Sequence, residues 1–253
     1  MSEFMGLTKN LIWEKWKLMN WVLGISVLVV AVIYIMNLIN HATFGEQNLY
    51  VEYTIVAIIA SFISMILLAR RNERVYTSNN YRLLPVTGTK LFFSNLLTTI
   101  VAFIYLWLVN SIIGGVAFGV SGQKIEPINP GMNSGQDFGM VFSFLLLAFL
   151  ATIMVWSGIT LVHFVINLVS DLLPFGRQKF ILFLIYLVVI WLSLVIFNLT
   201  TGNIFRLIYS NSIDSLNQLY GVIGTSSAVF GLWFVIFSIL DIYLLNRWVE
   251  TNH

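Results

Sequence analysis

Residues 180–199 read FILFLIYLVVIWLSLVIFNL, twenty positions with no Asp, Glu, Lys or Arg among them. A helix rises 1.5 Å per residue, so this run matches the roughly 30 Å of hydrocarbon in a bilayer. In lipid every backbone N–H and C=O must be satisfied internally, and a single continuous helix does that. Five more stretches have the same character: 18–39, 51–69, 91–120, 138–169 and 220–245. Composition agrees: 58% of the 253 residues are hydrophobic and 9% charged, against about 25% charged in a soluble domain. The expected fold is an all-α integral membrane protein with six transmembrane helices, forming a single transmembrane domain over 1–253.

The third and fourth stretches exceed what a crossing needs, so they tilt, protrude or break. Gly114, Gly115, Gly119 and Gly158 offer places to break. The first run is longer than a signal-peptide core, lacks a small-residue cleavage site after it, and reads as a retained span.

Charge placement says more than the formal net charge of +2, which is too small to suggest nucleic acid. The basic residues Lys9, Lys15, Lys17, Arg70, Arg71, Arg74, Arg82, Lys90, Arg177, Lys179 and Arg247 all fall on one side of the alternating spans. Only Lys124 and Arg206 fall on the other. The positive-inside rule then expects both termini in the cytoplasm of a multi-pass chain in the cytoplasmic membrane. An even number of spans requires the same.

Three connections carry detail. Before the first span, Phe4, Leu7, Leu11 and Leu18 share a helical face opposite Lys9, Asn10 and Lys17, with Lys15 intruding on the apolar side. Trp13, Trp16 and Trp21 suit headgroup depth, so an N-terminal amphipathic interfacial helix is expected. The basic stretch 70–90, RRNERVYTSNNYRLLPVTGTK, is too long for a tight helix–helix turn. It could hold a short helix to about Asn79–Asn80 and then an extended segment before Pro85. Between spans five and six, Ile204, Leu207, Ile208 and Ile213, Leu216, Leu219 recur at helical spacing, which suits a pair of short re-entrant or interfacial helices. The loop 121–137, with Pro127 and Pro130, reads as irregular.

Chemistry is sparse. No phosphate-binding Gly-rich loop ending in Lys-Ser/Thr is present, no HExxH and no Cys. No cofactor or metal ligand set is therefore expected in this chain. His163 and Asn167, four apart on one helix face, read as a local hydrogen-bonded pair. Asp241, near the inner end of the last span, reads as structurally paired, with a cytoplasmic Arg as one available partner. Asn110, Ser111, Asn198 and Thr200 suit interhelical hydrogen bonds.

The layout resembles the membrane subunit of type-2 bacterial ABC exporters. The closest likeness lies in Glu73, Arg74, Tyr81, Arg82, Leu83, Leu84, Pro85, Thr87 and Lys90, where the family has a short helix, an "LLP" segment and a Lys opening the third span. The resemblance implies a cytoplasmic coupling helix over 73–82, with Glu73, Arg74, Tyr76, Tyr81, Arg82, Leu84 and Pro85 contacting a separate ATPase subunit. It also implies a second contact through Asp171 and Arg177 in the DLLPFGRQK loop. ATP and Mg would sit on that partner, and two permeases, identical or homologous, would complete the unit. The chain itself would be no enzyme, and its apolar path would move a hydrophobic peptide, lipid-like molecule or drug outward. A membrane-embedded enzyme would need more convergent polar groups than His163, Asn167 and Asp241. A secondary transporter, or an immunity-type membrane protein without an ATPase, remains open.

Overall fold

In the computed structural model, residues 2–39, 47–77, 87–121, 134–172, 179–208 and 216–248 are described. They form six helices: α1 Ser2–Ile39, α2 Gln47–Thr77, α3 Gly88–Val120, α4 Ser134–Leu172, α5 Lys179–Ile208 and α6 Leu216–Trp248. All six are long and apolar enough to cross a membrane, and no strand occurs among the described residues. The chain divides into two compact units, Met1–Glu126 and Pro127–His253, each built on three helices.

In the first unit the contacts fix the helix directions. Thr8 meets Ser94, Lys15 meets Asn95, Thr98 and Thr99, and Asn20 meets Tyr105, so α1 and α3 run parallel. Helix α2 runs the other way: Tyr50 and Tyr53 touch Phe118 and Asn110, while Asn72 and Tyr76 touch Thr99 and Phe92. The second unit repeats the arrangement. Gly139 abuts Tyr220 and Ser157 bonds Asp241, so α4 and α6 are parallel. Helix α5 joins them antiparallel through Tyr186–His163 and Phe197–Trp233.

Most of the apolar surface faces outward. Phe183, Leu187, Trp191 and Leu194 of α5 are exposed, and none of that helix's most apolar window is buried. In water such a surface would aggregate; in lipid it is the solvated face. Several hydroxyls within the spans bond back to their own helix, as in Thr54 to Tyr50 O (2.7 Å), Thr152 to Ala148 O (2.8 Å) and Ser193 to Val189 O (2.8 Å). This i−4 bonding lets Ser and Thr sit in an apolar helix at small cost.

Several expectations are corrected. The lead-in before residue 18 is not a separate interfacial helix but the opening turns of one 38-residue α1. Leu7 and Leu11 of its apolar face are buried, and so is Lys15, although a lysine in a basic lead-in suggests solvent. Helix α2 continues unbroken to Thr77, so Glu73, Arg74 and Tyr76 lie on its last turns rather than on a separate helix. The first of the two helices expected between spans five and six is the continuation of α5 to Ile208, and Leu216 opens α6. Gly135 lies within α4, while Pro127 and Pro130 lie outside the described residues.

Among the described residues, no glycine breaks a span. Gly114 and Gly158 serve as contacts instead: a Cβ there would come within 3.3 Å of the Tyr53 and Phe237 rings, whereas Gly115 and Gly119 meet nothing within 4 Å. Gly158→Leu is therefore expected to cost about 1–3 kcal/mol by overpacking. Gly115→Ala should be neutral or mildly stabilising, because Ala is the better helix former. Unfolding midpoints of the two variants in one detergent check the contrast.

Candidate functional site

The first unit holds a buried polar cluster centred on Lys15. Ser94, Asn95, Thr98 and Thr99 occupy i, i+1, i+4 and i+5 of α3, one face of a helix, and all four are fully buried. Lys15 enters from α1 on the face that also buries Leu7, Leu11 and Met19. Its Nζ donates to Asn95 O and Asn95 Oδ1 (both 2.7 Å), Thr98 Oγ1 (2.9 Å) and Thr99 Oγ1 (2.6 Å). From α2, Asn72 completes the cage: Thr99 Oγ1 donates to its Oδ1 at 2.7 Å, and Asn95 Nδ2 donates to its carbonyl at 3.4 Å.

Three ammonium hydrogens face four acceptors, so one hydrogen is shared between two of them. Thr98 can donate to Asn95 O and Thr99 to Asn72 Oδ1, leaving each hydroxyl oxygen to accept from Lys15. Among the described residues no carboxylate bonds Lys15. The neighbouring Glu14 pairs instead with Arg71 of α2. A buried polar group is tolerable only when hydrogen-bonded, and this lysine is bonded on every side by neutral acceptors.

The cluster sits near one edge of the apolar slab. Lys15 is 24 residues from Ile39 (39 − 15), about 36 Å of helix, and Asn95 is 25 residues from Val120 (120 − 95), about 38 Å. Tyr50 to Asn72 gives 22 residues (72 − 50), about 33 Å. Each helix thus has room for the roughly 30 Å hydrocarbon layer on one side of the cluster. Beyond it lie the last turns of α2, where Arg74 is exposed, Glu73 half-buried, and Tyr76 buried at 3% exposure and stacked on Phe92. Tyr76 is therefore a packing residue, not part of an open docking face.

The other expected contact residues are not brought together among the described residues. Tyr81, Arg82, Leu84, Pro85 and Arg177 lie outside them, as does the Asp171 side chain, whose backbone is in the last turn of α4. In the first unit the expected interhelical role of Asn110 holds: Tyr53 donates its hydroxyl to Asn110 Oδ1 at 2.9 Å.

In the second unit, His163 lies 3.1 Å from Asn167 Nδ2 and 3.3 Å from the Tyr186 hydroxyl, the local pairing expected of it. Asp241 is fully buried, and its bonded partner is Ser157, which donates to Oδ2 at 3.0 Å; no arginine among the described residues bonds it. Ser238 lies 3.4 Å from Ser157 on the same patch, and Oδ1 has no hydrogen-bond partner among the described residues. Thr200 bonds back to its own helix at Ile196 O, and Asn198 is exposed. No group of three or more His, Cys, Asp or Glu that could hold a metal occurs among the described residues.

Sequence reasoning missed the Lys15 cage. Its signal was legible in SNLLTT over 94–99, four polar side chains on one face of a span, facing the lysine that breaks the apolar stripe of α1. Comparison with protein-family models, with curated proteins and with solved structures finds no match to the chain in any of the three.

Proposed function

We propose that the chain is the permease subunit of an ABC exporter, driven by a separate ATPase polypeptide that docks on the segment joining α2 and α3. The observation that carries this reading is the Lys15 cage. It ties α1 to the last turns of α2 and the first turns of α3, the two helices joined by residues 78–86, the stretch that carries the family resemblance. A push on that segment would move three helices as one body, because a hydrogen-bonded buried polar network is rigid. Six apolar helices supply the membrane-embedded part. Both termini and the 78–86 segment would face the cytoplasm, and two permeases with two ATPases would form the working assembly. A path running between spans this apolar suits a hydrophobic or amphipathic cargo.

The absence of native cysteine makes the test clean. Arg74→Cys places a single thiol on the exposed end of α2. Cross-linking in native membranes is expected to capture a nucleotide-hydrolysing protein, in a yield that changes under vanadate trapping. Glu73→Ala and Arg82→Ala are expected to leave the spans folded and to lower vanadate-sensitive hydrolysis by the assembly about fivefold, the loss of roughly 1 kcal/mol of coupling. Unchanged hydrolysis in both variants, with no adduct at the introduced thiol, sinks the docking assignment. One observation favours a cation-coupled secondary transporter instead: the buried Asp241 Oδ1 without a donor among the described residues. That reading requires transport without nucleotide.

A further inference from the structure

We propose that the exposed face of α1 over Lys9, Trp13, Trp16 and Lys17, walled by Tyr105 of α3, binds the headgroup of an anionic phospholipid. The four α1 residues fall within about 100° of helix circumference at 3.6 residues per turn, on the side opposite Leu7, Leu11, Lys15 and Met19. All four are exposed, Trp13 to 60%. The aromatic groups are held in place: Trp16 stacks on Tyr105 with centroids 4.2 Å apart, and the Tyr105 hydroxyl donates to Asn20 Oδ1 at 2.7 Å. Lys17 Nζ lies 5.1 Å from the centroid of the Trp13 ring, which fixes the cation beside an indole.

The level and the continuation of this face select a phospholipid over a soluble polyanion. It brackets Lys15, hence one edge of the hydrocarbon slab, where Trp partitions and lysines meet phosphate. Further along α1 the same side carries the exposed Val27, Leu28 and Ile35, an apolar surface for acyl chains. Charge is complementary as well. Arg70, Arg74 and Lys90 are exposed at this end of the unit, and Glu14 is already paired with Arg71. Each basic residue near an anionic surface strengthens binding about fivefold.

The test is native mass spectrometry of the full chain, purified in mild detergent with equal amounts of phosphatidylglycerol and phosphatidylcholine. The expected result is retained phosphatidylglycerol exceeding phosphatidylcholine by about fivefold or more. Lys9→Gln and Lys17→Gln should each reduce that excess and together abolish it. Arg206→Gln, at the end of α5, should leave it intact. An unchanged unfolding midpoint keeps the comparison interpretable, since both lysines are exposed. Equal retention of the two lipids by the natural sequence overturns the proposal. So does an excess that survives the double variant, or an unaltered lipid pattern accompanied by loss of a co-purifying protein, which would make the face a protein contact.

Discussion

Replacing Lys15 by Met is expected to destabilise the chain by about 2–4 kcal/mol, because the side chain keeps its volume but leaves a cage of acceptors without a donor. Asn95 O, Asn95 Oδ1, Thr98 Oγ1 and Thr99 Oγ1 all receive from Nζ, and all belong to fully buried residues. Water cannot replace the donor where the cluster is closed on three sides by α1, α2 and α3. Adding Thr98→Val and Asn95→Leu to the same chain should recover part of the loss. Removing both partners of a buried hydrogen bond costs less than orphaning one. The unfolding midpoint in a fixed detergent should fall by roughly 5–10 °C for the single variant. A midpoint within error of the natural sequence would show that Lys15 is not held in this cage.

Trp156→Ala should have a comparable effect in the second unit, about 2–4 kcal/mol. Trp156 is the largest fully buried side chain in the protein's described residues, at 2% exposure. In a membrane the transfer term that dominates such losses in water is weak, since lipid tails are as apolar as the protein interior. What remains is the cavity, whose lining loses its dispersion contacts. Trp156→Phe keeps much of the volume and should lose about half as much. Equal midpoints for the Ala and Phe variants would place the contribution elsewhere than in packing.

The existence of the six helices was legible because each apolar run is near twenty residues and lipid admits only continuous helices. Their ends were not. Ser2–Lys17, Arg70–Thr77 and Thr200–Ile208 are polar or mixed, yet all are helical in α1, α2 and α5. Lys, Arg and Glu are good helix formers, so a span does not stop where its apolar run does. The Lys15 cage was hidden by the same assumption. A lysine in a basic lead-in counts as a solvated topology signal until a partner helix is known to bring acceptors to it. Conversely, Gly114, Gly115 and Gly119 looked alike as places for a span to break, yet Gly115 and Gly119 meet nothing within 4 Å while Gly114 meets Tyr53. Which glycine is used depends on where the neighbouring helix lies, and a single sequence does not record that.

The most direct test of the central claim is purification of the chain from its native membrane in mild detergent, with identification of what accompanies it and an assay of vanadate-sensitive ATP hydrolysis. The account predicts a stoichiometric ATPase whose retention is lost when residues 78–86 are replaced by a Gly-Ser linker of equal length. A single component with no nucleotide dependence would contradict it.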